Sequence, residues 1–583
     1  MLSLNQKLIF PLIIVFFSSF SEFSQDDYLN GIFDQEWEYY LKQNPVFATS
    51  IGRTGYESSW KNLSLDSFRK RNQHSKDLLI KLKDINPYNL SEENQLNLRL
   101  FKQITKHDVA SYKFNRHLLP FSHRGGIQLA HEVVERLSLE NVGDYKQWLN
   151  RLRNLDVLIQ QTITLAEEGL RGGYLAPKLL MLRVKRQINL QTQTNIEINP
   201  FYKVFKELPK YFTNEEKGQI QKEARRLIQD KIIPAYQDLY AFFLKEYLPS
   251  SRTSFGVYDN PDGLEFYRSE VMSFTTTNLT PHEIHEIGLS EVKRIKGEMK
   301  KIISELNFDG SFQEFLTFLR TDKRFYYQTS EELFDGYLAV SKRIDPKLVK
   351  LFKTLPRTPY GVRKIPIESA PDTTTAYYMP PSPDGKRPGY YYVNLYRPET
   401  RPKYEMEVLS VHEAVPGHHL QISLAIEKED MPMFRRLSPY TVFVEGWGLY
   451  SESLGYELGL YRDPYSRFGQ LTYDMWRAVR LVVDTGIHYF KWDRRKAINF
   501  FKNNAGKSEL DITNEIDRYI MWPGQALAYK IGQLKLIELR NKAEGILGIK
   551  FDIREFHDVI LKQGALPLNE VEILVDDYIN DNK

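Results

Sequence analysis

The segment Val411-His412-Glu413-Ala414-Val415-Pro416-Gly417-His418-His419-Leu420-Gln421 holds three of the chain's 12 histidines, with a carboxylate directly after the first. Imidazole is the commonest protein ligand of zinc, and a glutamate beside a ligand is placed to take a proton from water held by the ion. The chemistry suggested is metal-assisted hydrolysis, with Zn2+ as cofactor, His412 as a ligand and Glu413 as general base. In the familiar H-E-x-x-H arrangement two histidines one helical turn apart meet one ion. Here His418 and His419 follow His412 by six and seven residues. On an unbroken helix that is about 9–10 Å along the axis, too far to share one zinc at bonds of roughly 2 Å.

Pro416 and Gly417 offer a remedy. Proline cannot donate the helical hydrogen bond and glycine tolerates unusual dihedrals, so the chain can kink there and swing a later histidine back. If a helix resumes after Gly417, His418 and His419 point about 100° apart and only one easily faces the metal. A two-residue insertion into the ordinary spacing lands on His418. His419 is then the alternate ligand, or a contact for substrate or for a carboxylate such as Glu452.

Catalytic zinc takes three protein ligands and a water. Downstream, Glu445 follows the apolar run Val442, Phe443, Val444, where an unpaired charge would be costly and a metal is a natural partner. Glu452, seven residues on and on the same helical face, would orient a histidine from behind. Either glutamate can instead be an ordinary salt-bridge partner. Farther along, Tyr473, Arg477, Arg480, Asp484 and His488 recur at helical spacing on a segment that is otherwise apolar, and such a polar stripe needs partners. His488, Arg477 and Arg480 can bind a peptide carboxylate or polarise the scissile carbonyl. A structural Arg–Asp network explains the stripe equally well.

Three weaker candidates complete the set. Asn394 lies within Tyr390–Tyr396, an expected edge strand along which an extended peptide can lie. Tyr519 and Tyr529 flank Trp522-Pro523-Gly524-Gln525; Tyr529 is placed to donate to a tetrahedral intermediate and Tyr519 to meet substrate, with plain packing as the alternative. Glu291 shares a helix face with Ile284 and Ile295, which marks it as a buried carboxylate.

The elements that must position these groups are mostly helical. From Asp26 to about Tyr247 charged faces alternate with apolar positions at helical spacing. A polar stretch from Pro249 to Gly263 is the candidate hinge between an N-terminal helical region, residues 25–260, and a catalytic region, residues 261–583, the two forming one intertwined body. Thr280-Pro281-His282-Glu283 is a capping box that opens a helix. The strong β signal is confined to Thr374–Met379 and Tyr390–Tyr396, which read as a hairpin around Pro380–Gly389. The expected fold is mainly α, with one small sheet beside the chemistry.

Composition narrows the function classes. The 583 residues contain no cysteine, which removes disulfide scaffolds, thiol nucleophiles, Cys-type zinc sites and lipidation at cysteine. A net charge of +4 from 79 basic and 75 acidic side chains argues against a nucleic-acid binder. Lys7 followed by the apolar run Leu8–Phe17 and several serines reads as an export signal over residues 1–24, too short to span a bilayer. The expected location is secreted or periplasmic, with no membrane insertion after signal cleavage.

H-E-A-V-P-G-H-H-L-Q, E-G-W-x-L-Y-x-E, D-T-G-I-H (Asp484–His488) and W-P-G-Q-A (Trp522–Ala526) resemble the hallmarks of domain-of-unknown-function family 885, a bacterial family regarded as zinc metallopeptidases. More distantly the chain is similar to the helical gluzincins, such as the oligopeptidase and angiotensin-converting-enzyme families, in which two histidines and a downstream glutamate hold zinc. The resemblance implies a zincin-like helical fold and peptide-bond hydrolysis. The competing readings are a secreted helical peptide-binding protein with structural zinc or none, and a zinc hydrolase acting on another amide. Glu413 favours an enzyme, because a closed structural site has no need of a proton acceptor.

Overall fold

The computed structural model describes residues 24–137, 139–367, 370, 374–437 and 440–583. Apart from Ser24, which caps the first helix, the stretch read as an export signal lies outside the described residues. The architecture is mainly helical with one three-stranded sheet. The N-terminal half is built of helices such as Glu92–Ser111, Leu155–Arg171 and the nearly continuous run from Asn214 to Ser250, which contains two π-helical turns.

The two halves are not separated by a free linker. The main apolar core draws on residues from Leu96 to Ile579, and a smaller cluster joins Phe114 and Phe266 to Val442 and Leu568. The stretch read as a hinge is docked. Arg252 N–H donates to Ala176 O, and Val257 N–H donates to the His488 ring.

Helix α1 (Pro281–Glu305) starts where the capping box sets it, with Thr280 and Glu283 each accepting from the other's backbone N–H. It lies against α2 (Pro464–His488), in which every residue from Phe468 to His488 is buried. A helix enclosed on all sides must satisfy its polar stripe internally. Asp474 on α2 illustrates this: the buried Lys530 reaches it at 2.6 Å, and Lys530 also pairs at 2.8 Å with Glu291 of α1, which pairs with Arg294 at 2.7 Å. Burial pushes the Glu291 carboxyl up, but Arg294 and Lys530 outweigh it and hold it at about 2.

The hairpin forms as β2 (Ala376–Met379) antiparallel to β3 (Gly389–Val393), with Ala376 opposite Val393 and Met379 opposite Tyr390. A further strand, β1 (Tyr360–Lys364), pairs in parallel with β3 on its other side. This corrects the expectation that Tyr390–Tyr396 is an edge strand. β3 is central, both of its backbone edges are paired, and no peptide can add to it. The strand β1 escapes sequence reading because Tyr-Gly-Val-Arg-Lys carries one β-branched residue and no buried one.

Candidate metal centre

Three further helices frame the histidines: α3 (Met406–Glu413), α4 (His418–Ile426) and α5 (Thr441–Leu454). The first two are separate helices with a sharp turn between them. Ala414 (φ −100°, ψ −107°) and Gly417 (φ −74°, ψ −127°) leave helical geometry. Gly417 N–H donates to Val411 O at 2.9 Å and His419 N–H to Ala414 O at 3.0 Å, which folds the chain back on itself. Only glycine fits at 417, since a Cβ there would stand 2.0 Å from His412 O. The fold-back brings the His418 ring edge-on to the His412 ring, with centroids 4.7 Å apart.

Helix α5 supplies the opposing wall. Trp447 Nε1–H donates to Pro416 O at 2.8 Å, tying the turn to the helix. Glu445, Gly448 and Glu452 lie along one face of α5, and the His412 ring sits over Gly448, where a Cβ would come within 2.9–3.2 Å of its ring atoms. Glu452, fully buried, lies 2.9 Å from His412 Nδ1. Glu452 also pairs with Arg477 of α2 at 3.3 Å. A carboxylate against Nδ1 keeps the proton there and turns the Nε2 lone pair toward the site.

The structure thus brings His412, His418 and Glu445 together, each offering an atom within 4.8 Å of the others. Glu445 Oε2 is 3.4 Å from His418 Nε2 and 3.8 Å from His412 Nε2. Ligands on one tetrahedral zinc at roughly 2.0–2.1 Å stand about 3.4 Å apart, so the donor set and its spacing fit that ion. Glu445 Oε2 is a buried oxygen without a hydrogen-bond partner, as is His418 Nδ1 among nitrogens. Electrostatics agree. Burial pulls the His412 imidazole down, yet Glu445 and Glu452 outweigh it and hold it up at about 9. Burial likewise raises Glu445, but the two histidines keep it well below the usual carboxylate range. The pocket favours positive charge. Glu413, half-buried at the end of α3, makes no hydrogen bond or ion pair among the described residues.

His419 points elsewhere. Its Nε2 meets Thr358 O at 3.1 Å and its Nδ1 meets Tyr378 Oη at 2.8 Å and Ser423 Oγ at 3.2 Å, so the expected contact with Glu452 is not made. Burial pushes its imidazole down to about 4.

The expected role of His488 in catalysis is corrected. Its Nδ1 accepts from Val257 N–H and its Nε2 donates to Tyr519 O, so both ring nitrogens are occupied by backbone, and burial pushes it down to about 3. Asn394 is fully buried and its side chain is engaged within the protein: it donates to Ala370 O and Thr374 O and holds the chain before β2. The Tyr519 hydroxyl is consumed internally, donating to Glu515 at 2.7 Å and accepting from Arg480 at 2.8 Å and Trp476 at 3.2 Å. Tyr529 is different. It stands on α6 (Ala528–Leu547), one turn before Gly532, whose Cα lies so close to Gly446 that neither can carry a side chain. The Tyr529 hydroxyl accepts from Arg518 at 3.4 Å, and the Arg480 guanidinium lies 4.2 Å over its ring. Sequence reading passed over Arg518 and Glu515, which join Tyr529 and Arg480 in a charged cluster. Their signal was the i, i+3, i+4 polar stripe Glu515, Arg518, Tyr519 on α7 (Glu509–Met521).

The chain belongs to the family described as bacterial protein of unknown function (DUF885), whose model matches residues 45–575. It is similar to the crystal structure of a "putative lipoprotein" from Colwellia psychrerythraea, with a TM-score of 0.91 and 29% identity over 96% of this chain and 100% of that one. A "putative lipoprotein of unknown function" from Shewanella oneidensis shares the fold, with a TM-score of 0.70 and 17% identity over 94% of this chain and 98% of that one. No curated protein matches the sequence.

Proposed function

We propose that this chain is an exported zinc metallopeptidase. The observation that carries the reading is the convergence of His412, His418 and Glu445 around a buried, unpartnered carboxylate oxygen, with the unengaged Glu413 adjoining the first ligand. Zinc, when bound, supplies a Lewis acid and makes water acidic enough to lose a proton near neutral pH. His412, oriented by Glu452 and Arg477, holds one ligand position in a fixed tautomer. Glu413 takes the proton from the attacking water as its oxygen bonds to the carbonyl carbon. As the C–N bond breaks, Glu413 passes that proton to the leaving amine. Tyr529 is the tyrosine to which this reading assigns donation to the oxygen that gains charge.

Export is part of the reading. Among the described residues no helix is long and apolar enough to cross a membrane, and the similar Colwellia psychrerythraea structure carries the description "putative lipoprotein". This chain has no cysteine to lipidate, so a cleaved signal fits it better than a lipid anchor.

The test combines metal analysis of purified protein with mass spectrometry of a peptide library. Peptide hydrolysis should stop with a chelator and return with zinc. Glu413→Gln should retain zinc while turnover falls about 10²–10⁴-fold. Unchanged turnover in that variant would refute the assignment of the base.

A further inference from the structure

One helix of the N-terminal half turns an apolar stripe to water. Helix α8 (Lys178–Gln191) sends Leu180, Met181, Val184 and Ile188 into the core. On its other side Leu179, Leu182 and Leu190 are 42%, 44% and 55% exposed. At 100° per residue these three fall within about 80° of one another, so they form one line along the helix. Single exposed leucines need no explanation, but a line of them does.

The stripe has neighbours on other segments. Arg183 pairs with Asp517 of α7 at 2.7 Å and donates to Asn514 at 3.3 Å, which lays α7 alongside α8. Leu510, one turn before Asn514 and on the same face of α7, is 61% exposed. Beyond the C-terminus of α8, Asn199 Nδ2–H donates to Gln191 O at 3.3 Å and folds back the segment that bears Ile198, 62% exposed. The five side chains together present on the order of 400 Å² of apolar surface, as much as the largest patch on a typical monomer, which is often functional.

Charge selects what can cover this surface. Helix α8 has four basic residues, Lys178, Arg183, Lys185 and Arg186, and no acidic one. Arg183 is spent on Asp517. The side chains of Lys178, Lys185 and Arg186 make no hydrogen bond or ion pair among the described residues. Seen down the axis, the two lysines border the leucines on one side and Arg186 stands between Leu182 and Leu179. Long basic side chains so placed lay their methylenes along apolar surface while their heads reach an anionic layer. A second copy of this chain is a poor occupant, because a twofold contact would set the same unpaired cations against each other. Lipid is the better one: the chain has no cysteine to lipidate and, among the described residues, no helix that crosses a membrane, so a hold on a bilayer would have to come from a surface of this kind.

We propose that α8, with Leu510 and Ile198 beside it, is a contact face that lies flat on membranes rich in anionic phospholipid. The leucines enter to headgroup depth, and Lys178, Lys185 and Arg186 pair with lipid phosphates. The proposal is independent of the peptidase reading.

The experiment sediments the purified, unmutated protein with vesicles of phosphatidylcholine alone and of phosphatidylcholine mixed with phosphatidylglycerol. Binding should be about 10- to 100-fold tighter with phosphatidylglycerol present, as three basic side chains at an anionic surface allow, and should fall as salt is raised. Leu179→Ser, Leu182→Ser and Leu190→Ser together should weaken that binding at least about 10-fold and leave the melting temperature in place, since all three face water. Lys178→Gln, Lys185→Gln and Arg186→Gln together should erase the lipid preference, which decides the matter even if the serine variant fails to fold. In a chain without cysteine, Leu182→Cys takes a single polarity-sensitive dye, whose emission should move to the blue on anionic vesicles. Equal binding to the two vesicle types overturns the proposal, as does a dye that stays in water or binding that neither triple variant weakens. No binding to either vesicle overturns it too and leaves the stripe to a protein partner. A dimer in lipid-free buffer that the serine variant dissolves also refutes it, because a second copy then covers the leucines.

Discussion

Gly448→Ala adds one methyl group at the point where α5 touches the His412 ring, and its consequence can be worked out in advance. The new Cβ would lie 2.9 Å from Cε1, 3.1 Å from Nε2 and 3.2 Å from Nδ1 of that ring. Ordinary contact needs about 3.5 Å or more, so ring and helix must separate by roughly 0.6 Å. The ring is hemmed in by Glu452 at Nδ1 and by the His418 ring, so it cannot retreat without leaving one of them. Metal–ligand distances tolerate about 0.2 Å, and the displacement exceeds that severalfold. Zinc affinity should fall about 10- to 100-fold, the range for disturbing the support of a ligand. Global stability should change little, because overpacking costs about 1–3 kcal/mol and replacing glycine by alanine within a helix returns about 1 kcal/mol. The assay is competition for zinc against a chromogenic chelator, with thermal unfolding of the metal-free protein as control. Unchanged zinc affinity in a folded variant would refute the placement of His412 over Gly448 as a ligand.

His418→Ala should abolish tight zinc binding, while His419→Ala should leave zinc content near that of the unmutated protein; loss of zinc only in the His419 variant, by metal analysis, reverses the assignment. Glu452→Gln strips the charge that holds His412 and Arg477, so zinc affinity should fall about 10- to 100-fold and the melting temperature should drop as well, because Arg477 stays buried without its counter-charge; a variant with unchanged zinc affinity would count against the Glu452–His412 contact. Burial pushes the Asp484 carboxyl up to about 7, against the Tyr267 and Gly524 hydrogen bonds that lower it. Below about 4 it is protonated in both folded and unfolded chains and costs nothing. As pH rises from about 4 to 7 the unfolded chain ionises first and stability falls by up to about 4 kcal/mol. Denaturant unfolding at pH 5 and 7 should show that decline, and Asp484→Asn should flatten it; an identical slope in the variant would exclude Asp484 as its source.

The convergence of His412, His418 and Glu445 was legible because it depends on residue type and short spacing. Histidines beside a Pro-Gly break and a glutamate behind an apolar run carry their meaning locally, as does the capping box at Thr280. What escaped depends on contacts between distant segments. The polar stripe on α2 is visible in sequence, but its division is not: Arg477 serves Glu452 and Arg480 serves Glu515, whereas His488 is claimed by the backbone of Val257 and Tyr519. The strand β1 failed for the opposite reason: its residues have weak β preference, and pairing with β3 supplies the order that its own sequence lacks.

The bond from Trp447 to Pro416 O has a consequence for how the proposed centre would take up an ion. It fixes the turn between the histidines through protein atoms alone, as Gly417 N–H to Val411 O and Glu452 to His412 do. The centre therefore behaves as a socket rather than a staple. On the proposed reading, an ion would enter and leave without the chain refolding. Metal depletion of such a protein should yield a silent, folded reserve that zinc reawakens within the time of diffusion, instead of a pool of unfolded chains for proteases to clear.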